Sequence, residues 1–263
     1  MRRYRNATIV AVVLAWIPVV IVADSGGGGG VSPGGQRLLG VGTWLLLLGL
    51  LAREPVRVRA QVAVVVAFAT LVEYTFSYEL HVYIYRLHNV PWYVPPGHGM
   101  VYLGALAIGR SVLVRNRSRG FITATIVVAG LYAAWGLIFN GRHDLLGVLW
   151  FGCLVFFLFR APLPTVFVGA FVVVSYLELI GTGVGAWTWQ TRDPILHWIS
   201  MGNPPTGAAG GYGFFDAAAL AMAPRIEAAL ARRRPSGRQR GEEIIVEEPV
   251  AAHRAPAVSA IDA

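Results

Sequence analysis

The 263-residue sequence contains no lysine, a single cysteine, and charged residues at only 14% of its positions. Soluble domains carry about a quarter charged residues. Because Cys153 has no second cysteine to pair with, a disulfide within the chain and a cysteine-based metal site are both excluded. The low charge, the 56% hydrophobic residues and a mean hydropathy of +0.58 together indicate an integral membrane protein.

All of the basic charge is arginine, and the formal net charge is +8. The arginines lie in short clusters between apolar runs, as in loops on the cytoplasmic side of a membrane protein. Nucleic-acid binding requires a continuous basic surface, so we expect no nucleic-acid partner. Arginine in place of lysine, with abundant Ala, Val and Gly, suggests a GC-rich bacterial genome, and we therefore expect a bacterial cytoplasmic (inner) membrane protein.

Eight apolar runs approach the roughly 20 residues that a membrane-spanning helix needs, although several are short. Arginine clusters lie at the N-terminus and after every second run. One topology satisfies all of them, an all-α, polytopic bundle of about eight transmembrane helices with both termini cytoplasmic. The runs are 7–23, 38–52, 60–81, 99–114, 120–139, 145–159, 165–184 and 207–223.

The segments around this predicted 1–231 transmembrane domain have distinct compositions. The first run also fits a signal peptide, but Ile21 is a poor small residue for cleavage, which favours a retained helix. Residues 24–37 are glycine-rich and are predicted to form a flexible external linker. Residues 232–263 lack apolar periodicity and are predicted to be a disordered cytoplasmic tail.

A faint internal similarity relates the two halves of the chain. In each half a run with a glutamate is followed by a loop with a proline pair and then by a run with a tyrosine. This pattern is compatible with a repeat of four plus four spans that run in the same direction about an axis along the membrane normal. The matching residues are Glu73 with Glu178, 95–96 with 204–205, and Tyr102 with Tyr212.

Three carboxylates fall inside predicted spans, where each charged group is costly and therefore suggests a functional site. Glu73 lies fourteen residues after Arg59, about 21 Å from the cytoplasmic end of its helix. Glu178 has a similar depth, and Asp216 also falls in the outer half. With His98, they are our catalytic candidates for general acid–base chemistry, and we expect all four to line one outward-opening cavity.

Five of the six histidines map to the external side, where they could bind a metal, move protons or belong to an interfacial belt. The third helix is expected to continue to about His88, which places Tyr78, His81, Tyr85 and His88 on one face. His81 and His88 would then be about 10 Å apart, too far to share one ion. A divalent metal is not favoured, because it would need ligands from different spans, for instance His98, His143 and a carboxylate. The cofactor is unknown.

Polar residues are concentrated in the outer half of the spans, which favours a cavity open to the extracytoplasmic side over a path through the membrane. The best-supported hypothesis is an enzyme that acts on a lipid or isoprenoid by acid–base chemistry. A small-solute or proton-coupled transporter and a non-catalytic subunit of an envelope complex stay open. Partners would be membrane lipids, a second copy or another membrane protein. The substrate-binding candidates are Arg86, His81, Tyr102, Trp189, Asn203 and Tyr212.

Overall fold

The computed structural model describes residues 2–25 and 29–232. These residues form nine α-helices, one π-helical segment and two short strands. The predicted tail lies outside them except for Arg232, the last residue of α9. The helices are α1 Arg2–Ser25, α2 Pro33–Leu51, α3 Val56–Val72 continued by the π-helix Glu73–Glu79, α4 Val94–Gly109, α5 Val112–Asn116, α6 Ser118–Ile138, α7 Leu145–Arg160, α8 Pro164–Gly183 and α9 Ala208–Arg232; the strands are β1 Tyr83–Tyr85 and β2 Trp187–Trp189.

The described part of the chain is mostly helical, and five of its helices are long and apolar enough to cross a membrane. Helix α7 is a shorter apolar helix, and large apolar side chains are exposed along the outer helices. These features support a membrane-embedded helical protein. The five spans are Tyr4–Ser25, Pro33–Leu51, Val56–Glu79, Ser118–Ile138 and Pro164–Gly183.

The third helix ends nine residues before the predicted end at His88. The Leu80 amide donates to the Thr75 carbonyl at 3.0 Å, the five-residue spacing of a π-turn, and the chain then enters β1. His81 and His88 both have φ of 54°, a left-handed conformation that no helix continues through. The predicted shared helical face of Tyr78, His81, Tyr85 and His88 is therefore wrong.

The two strands make the purely α-helical prediction wrong in one detail. They pair antiparallel, with Tyr83 opposite Trp189 and Tyr85 opposite Trp187. Because side chains alternate along a strand, these four rings are buried, whereas Thr188 is exposed. The Tyr83 and Trp189 rings pack with centroids 4.5 Å apart. We call this pair of strands the ribbon.

Two further boundaries differ from the predictions. Helix α2 begins at Pro33, where the Ser32 hydroxyl accepts a hydrogen bond from the Gly35 amide. The predicted linker 24–37 therefore overlaps the end of α1 and the first turn of α2. Helix α4 begins at Val94 with prolines in its first turn, and it ends at Gly109 rather than continuing to residue 114. Proline lacks only an amide that a first helical turn leaves unpaired, so the proline pair starts this helix instead of preceding it.

Helix α4 is buried along almost its whole length, between α8, α3 and α1, while α9 packs on α3 and α7. Small residues allow these helices to approach closely. A Cβ on Gly169 of α8 would lie 2.8 Å from the Cα of Ala105 in α4, and one on Gly109 would lie 2.8 Å from the Thr165 carbonyl carbon. Helices α4 and α8 are therefore in direct backbone contact.

Buried ion pairs and hydrogen bonds hold the two ends of the bundle. At one end, which we call the arginine end, the Glu54 carboxylate pairs with Arg5 at 3.1 Å and Arg110 at 3.2 Å. At the other end, which we call the ribbon end, the buried Asp24 carboxylate accepts from Gln36 at 2.8 Å and from Tyr93 at 2.7 Å. Both buried carboxylates therefore have the partners that low-dielectric surroundings require.

The close approach of α4 and α8 can be tested by substitution at Gly169. We expect Gly169→Val to lower the free energy of unfolding in detergent by about 1–3 kcal/mol, because the added side chain would overlap the backbone at Ala105. Gly152 of α7 is the matched control, because a Cβ added there would meet no atom of a neighbouring helix within 4 Å. Gly152→Val should leave the unfolding midpoint nearly unchanged, and equal losses in the two variants would contradict the close contact.

Candidate functional site

A cavity of about 520 Å³ lies at the ribbon end and is lined by residues of α1 to α4, α7, α8, α9, the π-helix, the ribbon and the adjoining loops. Its wall is mainly apolar and aromatic. The acidic or basic side chains that line it are Glu73, His98, Glu178 and Asp193. Within residues 2–25 and 29–232, no arginine lines this cavity, and the chain has no lysine.

Glu73 and His98 meet in the cavity wall. Glu73 is the first residue of the π-helix, and His98 lies in the first turns of α4. The His98 Nε2 atom is 3.3 Å from Glu73 Oε1, and both side chains are nearly fully buried. A π-turn often marks a functional position, because it changes the direction in which a side chain leaves the helix.

The surroundings of His98 determine how this pair holds its proton. The His98 Nδ1 atom lies 3.0 Å from the Val94 carbonyl oxygen, which can only accept, so Nδ1 carries a proton. Nε2 then faces the Glu73 carboxyl group. The pair is stable either as a protonated Glu73 donating to neutral His98 or as a carboxylate accepting from imidazolium. In both forms one proton lies between the two side chains.

Tyr85 of β1 completes the surroundings of Glu73. Its hydroxyl donates to Glu73 Oε2 at 2.9 Å. Burial, reinforced by the nearby Glu73 carboxylate, raises the pKa of Tyr85 well above its usual range. Tyr85 therefore stays protonated and acts as the donor in this contact.

Glu178 has a different set of neighbours. Its Oε2 atom accepts from the indole nitrogens of Trp187 at 3.0 Å and Trp189 at 3.2 Å, and its Oε1 atom accepts from the Tyr212 hydroxyl at 3.4 Å. All three neighbours are neutral donors, which stabilise a carboxylate and cannot take its proton. The Tyr212 ring also stacks on the His98 ring at 5.2 Å, so it links the two acidic groups.

The structure brings five of the predicted site residues together around the cavity. They are Glu73, His98, Glu178, Trp189 and Tyr212. Asp216 and Tyr102 are buried but do not line it, so the hypothesis that all four catalytic candidates face one cavity is wrong for Asp216. Asp216 is on α9, one residue after Phe215, and neighbouring positions on a helix face different directions.

The remaining candidates for substrate binding have structural contacts. Arg86 donates to the Asp24 carboxylate at 3.1 Å and to the Val31 carbonyl at 2.6 Å. The Asn203 side chain accepts from the Trp189 amide at 2.9 Å, which holds the end of the ribbon. His81 is exposed on a separate surface depression. None of these three lines the cavity.

The histidines do not assemble as the metal hypothesis required. His143 is exposed in the α6–α7 loop, with its ring against the Leu137 carbonyl at 3.0 Å, whereas His98 is buried against Glu73. Among the described residues no three His, Cys, Asp or Glu side chains are grouped to hold a metal ion. Four of the five histidines that were predicted to be external instead occupy left-handed turns, and these are His81, His88, His143 and His197.

Two features of the site were missed in the sequence. The alternating YIY and WTW triplets of the ribbon supply Tyr85, Trp187 and Trp189, and their period of two was the available signal. Asp144 is fully buried at the start of α7, where its carboxylate accepts from the amides of Gly147, Gly202 and Thr206 at 2.6–2.9 Å. These hydrogen bonds hold the loop that carries Asn203. In the sequence, the only indication of this role was an aspartate immediately before a helix.

No protein-family model matches this chain, and no curated protein or solved structure is significantly similar to it.

The shared proton predicts a defined histidine signal. In nitrogen NMR of histidine-labelled protein, we expect His98 to keep a proton on Nδ1, because the Val94 carbonyl accepts from it. Glu73→Gln should shift the Nε2 resonance of this one histidine and leave Nδ1 protonated. Glu227→Gln, which removes an exposed acid at the arginine end, should shift neither. A His98 ring without a proton on Nδ1 would contradict the assignment.

Proposed function

We propose that this protein is a membrane-embedded enzyme that acts on a lipid or isoprenoid substrate by acid–base chemistry. The observation that carries the proposal is the buried Glu73–His98 pair, which holds one proton at the wall of an apolar cavity. A positioned acid or base of this kind contributes about 10²–10⁴-fold to a proton-transfer step. We assign the proton transfer to Glu73 and His98 and the role of a stationary anion to Glu178.

The shape and wall of the cavity support an apolar substrate. A volume of about 520 Å³ falls in the range of small-molecule sites, and such sites are mostly apolar with a few polar groups. The lining includes Leu196 and Phe214, each 50% exposed, together with Phe76 at 38%. Exposed apolar side chains at the mouth of a cavity suit entry of a substrate from lipid rather than from water.

A transporter is the competing hypothesis, and the arginine end gives it little support. Transport needs a polar path that continues to the second face of the membrane. Here Glu54 joins Arg5 and Arg110 at that end, and α4 and α8 are in backbone contact between it and the cavity. A non-catalytic subunit of an envelope complex, or a homo-oligomer, is the hypothesis that remains if no lipid chemistry is found.

The topology that we propose has eight spans, α1 to α4 and α6 to α9, with both termini cytoplasmic in a bacterial inner membrane and the site on the extracytoplasmic side. The arginine clusters support this orientation. The proposed four-plus-four repeat is supported by matching contacts in its two halves. In this repeat α3 corresponds to α8, α4 to α9 and β1 to β2. The packing of α3 on α9 then matches the packing of α8 on α4. The antiparallel pairing of β1 with β2 also fits a twofold axis along the membrane normal.

The function can be tested before the substrate is identified. Purified protein is placed in liposomes with lipids extracted from the cells that make it, incubated in deuterium oxide, and the lipids are compared by mass spectrometry. We expect one lipid species to be converted or to gain carbon-bound deuterium. Glu73→Gln and His98→Ala should reduce this rate about 100-fold or more, because each removes a partner of the shared proton.

The matched control is Glu227→Gln, which makes the same chemical change in an exposed ion pair with Arg57, far from the cavity. It should retain the wild-type rate. No lipid change with wild-type protein, or equal rates in wild type and Glu73→Gln, would overturn the enzyme proposal. Proton movement across the liposomes that depends on Glu73, without any lipid change, would establish the transporter instead.

The orientation is tested with single cysteines in a Cys153→Ser background. His197 is exposed at the ribbon end, and Arg115 is exposed in α5 at the arginine end. We expect a membrane-impermeant maleimide added to intact cells with a permeabilised outer membrane to label His197→Cys, and to label Arg115→Cys only after lysis. The reverse pattern would overturn the proposed orientation.

A further inference from the structure

We propose that Glu178 and the rings around it form a subsite for positive charge, and that the substrate is an uncharged, unsaturated molecule protonated at a carbon–carbon double bond. This inference rests on the proposed function and specifies its substrate class. It follows from the charges that line the cavity, from the neighbours of Glu178 and from the position of the proton.

Among the described residues, the only basic side chain that lines the cavity is His98, which is already paired with Glu73. The cavity lining carries three carboxylic acids, Glu73, Glu178 and Asp193, and no arginine among the described residues. The arginines near the ribbon end do not line the cavity: Arg86 binds Asp24 and the Val31 carbonyl, and Arg142 donates to the Trp189 carbonyl at 2.8 Å. Arg37 lies over the Trp92 ring, and Arg192 is exposed on the loop after β2. A phosphate group in this cavity would be a buried, unpaired negative charge beside carboxylates, which is strongly unfavourable.

Within the part of the chain that the structure describes, Glu178 lacks a charged partner of its own. It accepts side-chain hydrogen bonds from Trp187, Trp189 and Tyr212, which are neutral. None of the ion pairs formed within residues 2–25 and 29–232 involves it. A buried carboxylate whose donors are all neutral keeps a field that attracts a cation. This set of groups suits a positive charge on the ligand.

The Glu73–His98 pair supplies the means to create that charge. The proton between the two side chains moves to one carbon of the double bond, whose π-electron pair forms the new C–H bond and leaves the neighbouring carbon positive. Glu178 and the surrounding rings stabilise this cation. A proton then returns to the pair from an adjacent carbon, and the electrons of that C–H bond form a double bond at a new position. The net reaction is an isomerisation that needs no oxidant or reductant.

Binding of three amphiphiles with the same chain tests the subsite without any turnover. The probes are N,N-dimethyldodecylamine, which is cationic at neutral pH, dodecanol, which is neutral, and dodecyl phosphate, which is anionic. Each is titrated calorimetrically into detergent-solubilised protein. We expect wild-type protein to bind the amine at least about tenfold more tightly than dodecanol, and to bind dodecyl phosphate more weakly than dodecanol.

Glu178→Gln keeps the size of the side chain and removes its charge, so it should abolish the preference for the amine over the alcohol. Glu227→Gln is the matched control and should keep it. Equal binding of amine and alcohol by wild-type protein, tight binding of the phosphate, or an unchanged preference in Glu178→Gln would each overturn the inference. The wild-type comparison needs no variant to fold, and lipid conversion that depends on Glu73 but lacks the amine preference would overturn this inference alone.

Discussion

The pairing of β1 with β2 is the interaction on which the candidate site depends. Six residues, Tyr83–Tyr85 and Trp187–Trp189, come from loops more than a hundred positions apart, and their antiparallel register turns four aromatic rings into the protein. One strand supplies the donor to Glu73, and the other supplies two donors to Glu178. Without the ribbon, two carboxylates in an apolar interior would lose most of their hydrogen bonds, which is a large cost.

The two carboxylates are similar in burial and differ in chemistry because their neighbours differ. Glu73 faces an imidazole whose other nitrogen is committed to a carbonyl, so a proton can move between them. Glu178 faces only indole and phenol groups, so it has no partner that can accept its proton. Environments that separate the roles of two acids are typical of acid–base sites. The ribbon supplies donors to both acids, and it therefore contributes to both proposed roles, proton transfer at Glu73 and a stationary anion at Glu178.

The chemical groups of the site were easier to predict from the sequence than their arrangement. Glu73 and Glu178 were identified because charged groups in spanning helices are costly, and that cost depends only on composition and position. His98 was identified because it lies at the start of a predicted span, on the same side as these carboxylates. Asp216 met the same criterion but does not line the cavity, because the rotation of α9 is set by packing against α3 and α7. Tyr85 was assigned to a helix face because three strand residues are too short a signal to compete with a helical pattern.

Composition and periodicity by themselves determined that this is a helical, membrane-embedded chain and approximately where most of its helices lie, because burial in lipid requires long apolar segments whatever their partners. The tertiary structure alone decided where α3 ends, which acids share a cavity and which arginines are occupied elsewhere. Those features depend on contacts between residues far apart in the chain, such as Tyr85 with Trp187 or Arg86 with Asp24. Local patterns carry no information about such contacts, and the site consists almost entirely of them.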